Sequence, residues 1–119
     1  MRICVTSQGG DLEAQVDPRF GRARFFVFYD DETGQVEALD NATNVNAAGG
    51  AGVQSATTVA EKGCQWVLSG HIGPKAMQVL QAAGVKVGVG ASGTVAEALE
   101  AFRQGRLEQV SDADRPSHW

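Results

Sequence analysis

Cysteine is scarce in this chain: there are only two, Cys4 and Cys64, far apart and without C-x-x-C spacing. That excludes a disulfide scaffold and a cysteine zinc site, and it reads most simply as two free thiols in a reducing compartment. Positive charge is also in the minority. Ten Lys and Arg stand against 14 Asp and Glu, for a net charge of −4. A general nucleic-acid binder or a binder of anionic membranes needs the opposite balance. No apolar run is long enough to span a bilayer, and "MRICVTSQGG" carries one charge followed by a short strand-like run, which is not a secretory signal. These absences point to a soluble, cytoplasmic protein.

What is present suits one domain. The chain has 119 residues, 43% of them apolar, and 15 glycines that cluster where elements should end. "RICVTS" (2–7) reads as a buried strand, and 11–22 as a loop. "ARFFVFYD" (23–30) and "QVEALDN" (35–41), joined by the turn "DETG", read as an antiparallel hairpin. Residues 42–50 form a loop. Val53, Ala56, Val59 and Ala60 then recur at helical spacing over 51–62, with Gly63 as a left-handed stop. "CQWVLSG" (64–70) is a strand. Pro74 stands where a first helical residue belongs, ahead of Ala76, Met77, Leu80 and Ala83. "VKVGVG" (85–90) is the next strand. Thr94 and Glu97 form a capping box for a helix through Val95, Ala98, Leu99 and Phe102, which Gly105 ends. The domain is expected over 1–110, followed by a polar, loose tail over 111–119. The order β-β-β-α-β-α-β-α predicts an α/β fold of ribonuclease H-like type. Its mixed five-stranded sheet has order 3-2-1-4-5, with strand 2 antiparallel, and three helices cover it.

In such a sheet, ligands bind beyond the carboxyl ends of the parallel strands. Three loops converge there: Arg19–Arg24, Asn44–Gln54 and Gly70–Lys75. "RFGRAR" sets three arginines around Phe20. Guanidinium groups are weakly hydrated and suit soft or planar anions, whereas packing of Phe20 into the core would leave the arginines merely solvated. In "GHIGPKA", Gly70 and Gly73 allow close backbone approach. Lys75 falls in a first helical turn, where a cation opposes the dipole unless an anion lies between them. His71 could ligate a metal or donate to an anion, or be a surface residue.

"NAAGGAGVQSA" (46–56) brings Gly49, Gly50 and Gly52 to a helix mouth. It lacks the lysine and hydroxyl of a phosphate loop, and no acid is placed for a ribose, so a nucleotide site is disfavoured. Close packing of the helix accounts for Ala51 and Ala56 but not for all three glycines. A nuclease would need clustered carboxylates, yet the first strand reads Ile3–Cys4–Val5, and Asp11 and Asp17 lie in a loop. Ser69 near His71 is the one nucleophile–base candidate, without an obvious acid. The chain is thus read as non-enzymatic. Cys64 opens its strand at the opposite rim and Cys4 is mid-strand, so thiolate ligation at the convergent rim is not expected.

"VDPRFGRARFFVF", "GGAGVQSATTVAEKG", "GHIGPKAMQVLQAAGVKV" and "SGTVAEALEAFRQGRL" together resemble the dinitrogenase iron–molybdenum cofactor biosynthesis family of NifX and NafY type, over nearly the whole chain to about Val110. The resemblance implies a ribonuclease H-like fold and non-catalytic binding or carriage of metal–sulfur cofactors, such as iron–molybdenum cofactor precursors. Within the family the chain resembles the orange-protein branch of sulfate-reducing bacteria. That likeness implies a non-covalently held molybdenum–copper sulfide cluster and partner ATPases of the MinD type. Many nitrogen-fixation members have a histidine just before F-G-R-A; here the residue is Arg19, which favours charge pairing over ligation. The cofactor-binding residues expected are Arg19, Phe20, Gly21, Arg22, Arg24, Gly49, Gly50, Gly52, His71, Ile72, Gly73 and Lys75. No catalytic and no metal-ligating residue is expected among them. A metal-free adaptor for such an ATPase, or a regulatory module for a nucleotide or phosphate, are the competing readings.

Overall fold

β-Branched and aromatic runs build the sheet, and small-residue helices cover it. The structure, a computed structural model, describes residues 1–42 and 51–110. Its elements are β1 (Arg2–Ser7), β2 (Phe25–Asp30), β3 (Val36–Asp40), α1 (Ala51–Glu61), β4 (Trp66–Leu68), α2 (Pro74–Ala82), β5 (Lys86–Val89), α3 (Val95–Arg103) and β6 (Glu108–Val110). The sheet order is β3-β2-β1-β4-β5-β6. β4 and β5 run parallel to β1, while β2 is antiparallel to both β1 and β3.

This is the expected α/β arrangement with one correction. The sheet has six strands, because Glu108–Val110 pairs antiparallel with β5, setting Val110 against Val87. The segment "EQV" has one apolar residue and only three positions, so it carries no alternation to read. Its pairing is imposed by the open edge of β5.

Strand alternation divides the core in two. Cys4, Phe26, Phe28, Val67 and Val87 face α1 and α2, with Ala56, Val59, Met77 and Leu80 packed upon them. Ile3, Val5, Val27 and Leu68 face α3 through Val95, Ala98 and Leu99. Phe102 closes that layer against Trp66, with ring centroids 4.8 Å apart. Helix ends follow the local chemistry. Pro74 opens α2 after Gly73, and Thr94 and Glu97 complete a reciprocal capping box on α3. Gly63 and Gly84 stop the preceding helices at φ of 75° and 76°, a region costly for other residues. Among the described residues no helix is long and apolar enough to cross a membrane.

Candidate functional site

The carboxyl ends of β1, β4 and β5 and the start of β2 define one rim of the sheet, and the loops there are stitched together by backbone. The segment before β2 lies along the segment after β4, with Arg19 and His71 in a parallel bridge. His71 N–H donates to the Pro18 carbonyl (2.8 Å), and Phe20 N–H donates to the His71 carbonyl (3.3 Å). Gly70 permits this contact, since a Cβ there would sit 2.8 Å from both Cα and O of Pro18. Gly21 makes the second approach: a Cβ on it would lie 2.9 Å from Gly52 Cα at the start of α1. Gly52 in turn faces Ala76 of α2, 3.5 Å from where its own Cβ would be. The two arginine- and histidine-bearing loops and two helix starts therefore form one surface.

Buried polar groups hold this surface rigid. Asn41, at the end of β3, donates from Nδ2 to the Ala23 carbonyl (2.8 Å) and to Ser55 Oγ (3.2 Å). Its backbone N–H donates to the Arg24 carbonyl at 2.9 Å. Thr6 Oγ1 donates to the Asp17 carbonyl (2.7 Å) and shares a hydrogen bond with Ser69 Oγ (2.9 Å). Asp17 Oδ1 accepts from Arg19 N–H at 3.2 Å. Each of these polar residues is buried, and burial without such partners would be costly. Sequence reasoning missed this network. Its signal was faint: an asparagine ending an exposed strand, and a serine on the buried face of a helix.

The candidate residues separate by depth. Arg19, Arg22, Arg24 and Lys75 are exposed, and His71 is half-buried. No ion pair joins any of the four cations to another described residue. Phe20 and Ile72, expected to meet the ligand, are instead 0% exposed. Phe20 packs on Phe26 at 5.6 Å between centroids. Both are core anchors that pin the loops, because a large apolar side chain gains more from the core than from a wet rim. Gly21 and Gly73 are buried as well, and Gly52 is half-buried between Gly21 and Ala76. Gly49 and Gly50 lie outside the described residues, as does the tail over 111–119.

α2 begins at this rim with Gly73 as N-cap, no side-chain capping bond and Pro at the first position. Its first turn therefore presents backbone N–H groups and the positive end of the dipole beside Lys75. Unpaired like charges on a helix mouth repel one another, and an anion relieves that repulsion. Ser69 offers no nucleophile. It is fully buried, and its hydroxyl is engaged with Thr6 and with the His71 carbonyl at 3.3 Å. Among the described residues no three His, Cys, Asp or Glu side chains are grouped to hold a metal ion. Cys4 and Cys64 are both buried free thiols in the core layer under α1 and α2, and Cys64 precedes β4 at the opposite end from the rim.

Comparison with known proteins agrees with this architecture. The apo form of the orange protein from Desulfovibrio gigas superposes with a TM-score of 0.92, at 42% identity and covering 96% of each chain. A putative NifB protein from Thermotoga has a TM-score of 0.84 at 38% identity, covering 96% of this chain and 97% of that one. An uncharacterised protein of Methanocaldococcus jannaschii is 31% identical over 98 residues, which is 80% of this chain and 82% of that protein. Residues 1–105 match the family described as "Dinitrogenase iron-molybdenum cofactor", and the chain belongs to that family.

Proposed function

We propose that this protein binds and carries an anionic metal–sulfur cluster without catalysing a reaction on it, and that the cluster is a molybdenum–copper sulfide held non-covalently. One observation carries the reading. Arg19, Arg22, Arg24 and Lys75 are exposed and without ion-pair partners among the described residues, on loops drawn together by the Arg19–His71 bridge. A sulfide-coated polyanion is large, soft and weakly hydrated, which suits guanidinium groups better than ammonium groups. The uncapped start of α2 adds backbone N–H donors. Family membership supports a cofactor of metal–sulfur type, and the likeness to the orange protein supports the choice within it. Among the described residues of the rim, no feature singles out a MinD-type ATPase as partner.

The test is reconstitution. Apo protein is mixed anaerobically with tetrathiomolybdate and a copper salt, desalted, and examined by visible spectroscopy and metal analysis. The expected result is a coloured protein that retains molybdenum and copper through the column. Metal-free protein with the spectrum of the free mixture overturns the reading and favours the adaptor alternative. Retention of an iron–molybdenum precursor in place of the copper-bearing cluster would keep the carrier role and change the cargo.

A further inference from the structure

Arg22 and Arg24 are exposed, while Gly21 and Ala23 beside them are buried. Within this turn the Ala23 N–H donates to the Phe20 carbonyl at 3.3 Å, a long bond. Shorter ties come from outside it. Asn41, just past β3, holds two successive carbonyls: its Nδ2 donates to Ala23 at 2.8 Å, and its backbone N–H donates to Arg24 at 2.9 Å. The same Nδ2 donates to Ser55 Oγ on α1 at 3.2 Å, and Ser55 Oγ lies 3.5 Å from the Gly21 carbonyl oxygen. Asn41 is 1% exposed and Ser55 0%. A Cβ on Gly21 would lie 3.0 Å from Gly52 N, so the arginine-bearing turn rests directly on the start of α1.

We propose that Asn41 and Ser55 are positioning residues that set the specificity of the rim. They lock the turn bearing Arg22 and Arg24 to β3 and α1 at one fixed spacing, and that spacing selects a large, rigid polyanion over a small one. The inference rests on the carrier reading above and adds what sets its selectivity. Both side chains are buried, so each acts through the backbone it holds.

The selectivity follows from how many contacts each anion needs. A small dianion is satisfied by few cations, and a loose loop brings them to it. A rigid polyanion bearing several metals meets several cations at once, and each cation that must first be brought into register costs affinity. Contacting side chains keep their geometry when the groups behind them are locked by packing and hydrogen bonds. Asn41 supplies that lock at two carbonyls, and Ser55 extends it to α1. Removing the Asn41 amide leaves the Ala23 carbonyl without this donor in the interior, which favours lifting of the turn.

The test has two arms. The first uses folded apo protein and dilute trypsin, and compares the cleavage rates after Arg22 and Arg24 with that after Lys86 in β5, which reports opening of the sheet. The ratio should rise about tenfold in Asn41→Ala and about threefold in Ser55→Ala. The second arm titrates the same proteins anaerobically with preassembled molybdenum–copper sulfide cluster and with tetrathiomolybdate alone. In Asn41→Ala, affinity for the cluster should fall about tenfold and affinity for tetrathiomolybdate less than about threefold. An equal rise of cleavage at all three sites would make Asn41 a support of the whole fold and overturn the inference. Equal losses of affinity for the two anions would overturn it as well, since the spacing would then select nothing. A wild type that takes up neither anion brings down the carrier reading and the selectivity with it, whereas failure of the clamp alone shows in the trypsin ratios with wild-type binding intact. Ser55→Ala places a strong helix former within α1, so the test stands even where Asn41→Ala does not fold.

Discussion

A methyl group at Gly21 would meet the backbone of Gly52 at 2.9 Å, and neither loop nor helix has a flexible side chain to yield there. Gly21→Ala should therefore destabilise the fold by about 1–3 kcal/mol, measured by urea denaturation, because the loop must lift off α1. The exposed cations behave oppositely. Arg22→Ala and Lys75→Ala remove exposed side chains that make no ion pair with another described residue, so stability should stay within about 0.5 kcal/mol. Cluster retention should fall at least about tenfold for each, the worth of one charge-assisted contact, read by titration of apo protein. A loss of stability without loss of affinity would place these residues in the fold and not in the site. The arginines and the lysine were legible in the sequence as exposed cations, because charge on a glycine-bearing loop has few structural uses. Phe20 and Ile72 were not legible as anchors. An aromatic or aliphatic residue next to glycine reads the same whether it faces ligand or core, and only the 0% exposure of each decides.

At the scale of elements, the ends were easier to read than the edges. The capping box on α3 was visible as Thr94 and Glu97 at the required spacing. In the structure Thr94 Oγ1 accepts from Glu97 N–H at 3.1 Å while Glu97 Oε1 accepts from Thr94 N–H at 2.8 Å. These bonds from Thr94 hold the Glu97 carboxyl below its ordinary value of 4.5. A carboxylate with a depressed folded-state pKa stabilises above its unfolded value, and that contribution is lost as pH falls through the folded value. Glu97→Gln should thus lower stability at neutral pH, and the difference from the wild type should vanish as pH falls below about 4.5, checked by thermal melts across pH. Thr94→Ala should cost about 1 kcal/mol at neutral pH, because it removes the side-chain acceptor itself. β6 escaped notice for the converse reason. A cap is specified by local residues, whereas an edge strand is specified by what it lies beside, and that neighbour is β5.

The whole molecule sets a net charge of −4 against a rim bearing four unpaired cations among the described residues. Two ways of holding a cluster there differ in their response to salt. If the metals were ligated by protein atoms, raising the ionic strength would change affinity little. If the cluster is held by exposed charge and backbone N–H groups, screening weakens the attraction as the Debye length shrinks from about 10 Å at 0.1 M to about 3 Å at 1 M. The reading proposed above, with four exposed cations and no ion pairs competing for them among the described residues, is the second case. Cluster affinity should therefore fall steadily with sodium chloride concentration, and the loss should shrink in an Arg22→Ala, Lys75→Ala double variant. On the proposed reading the cluster binds only the folded rim, so loading at a hundredfold excess over Kd should raise stability by about 2.7 kcal/mol at low salt. That gain should decline in step with affinity as salt is added. A thermal shift that persists unchanged at 1 M salt would mean that bonds to the metals, and not the charge of the rim, hold the cargo.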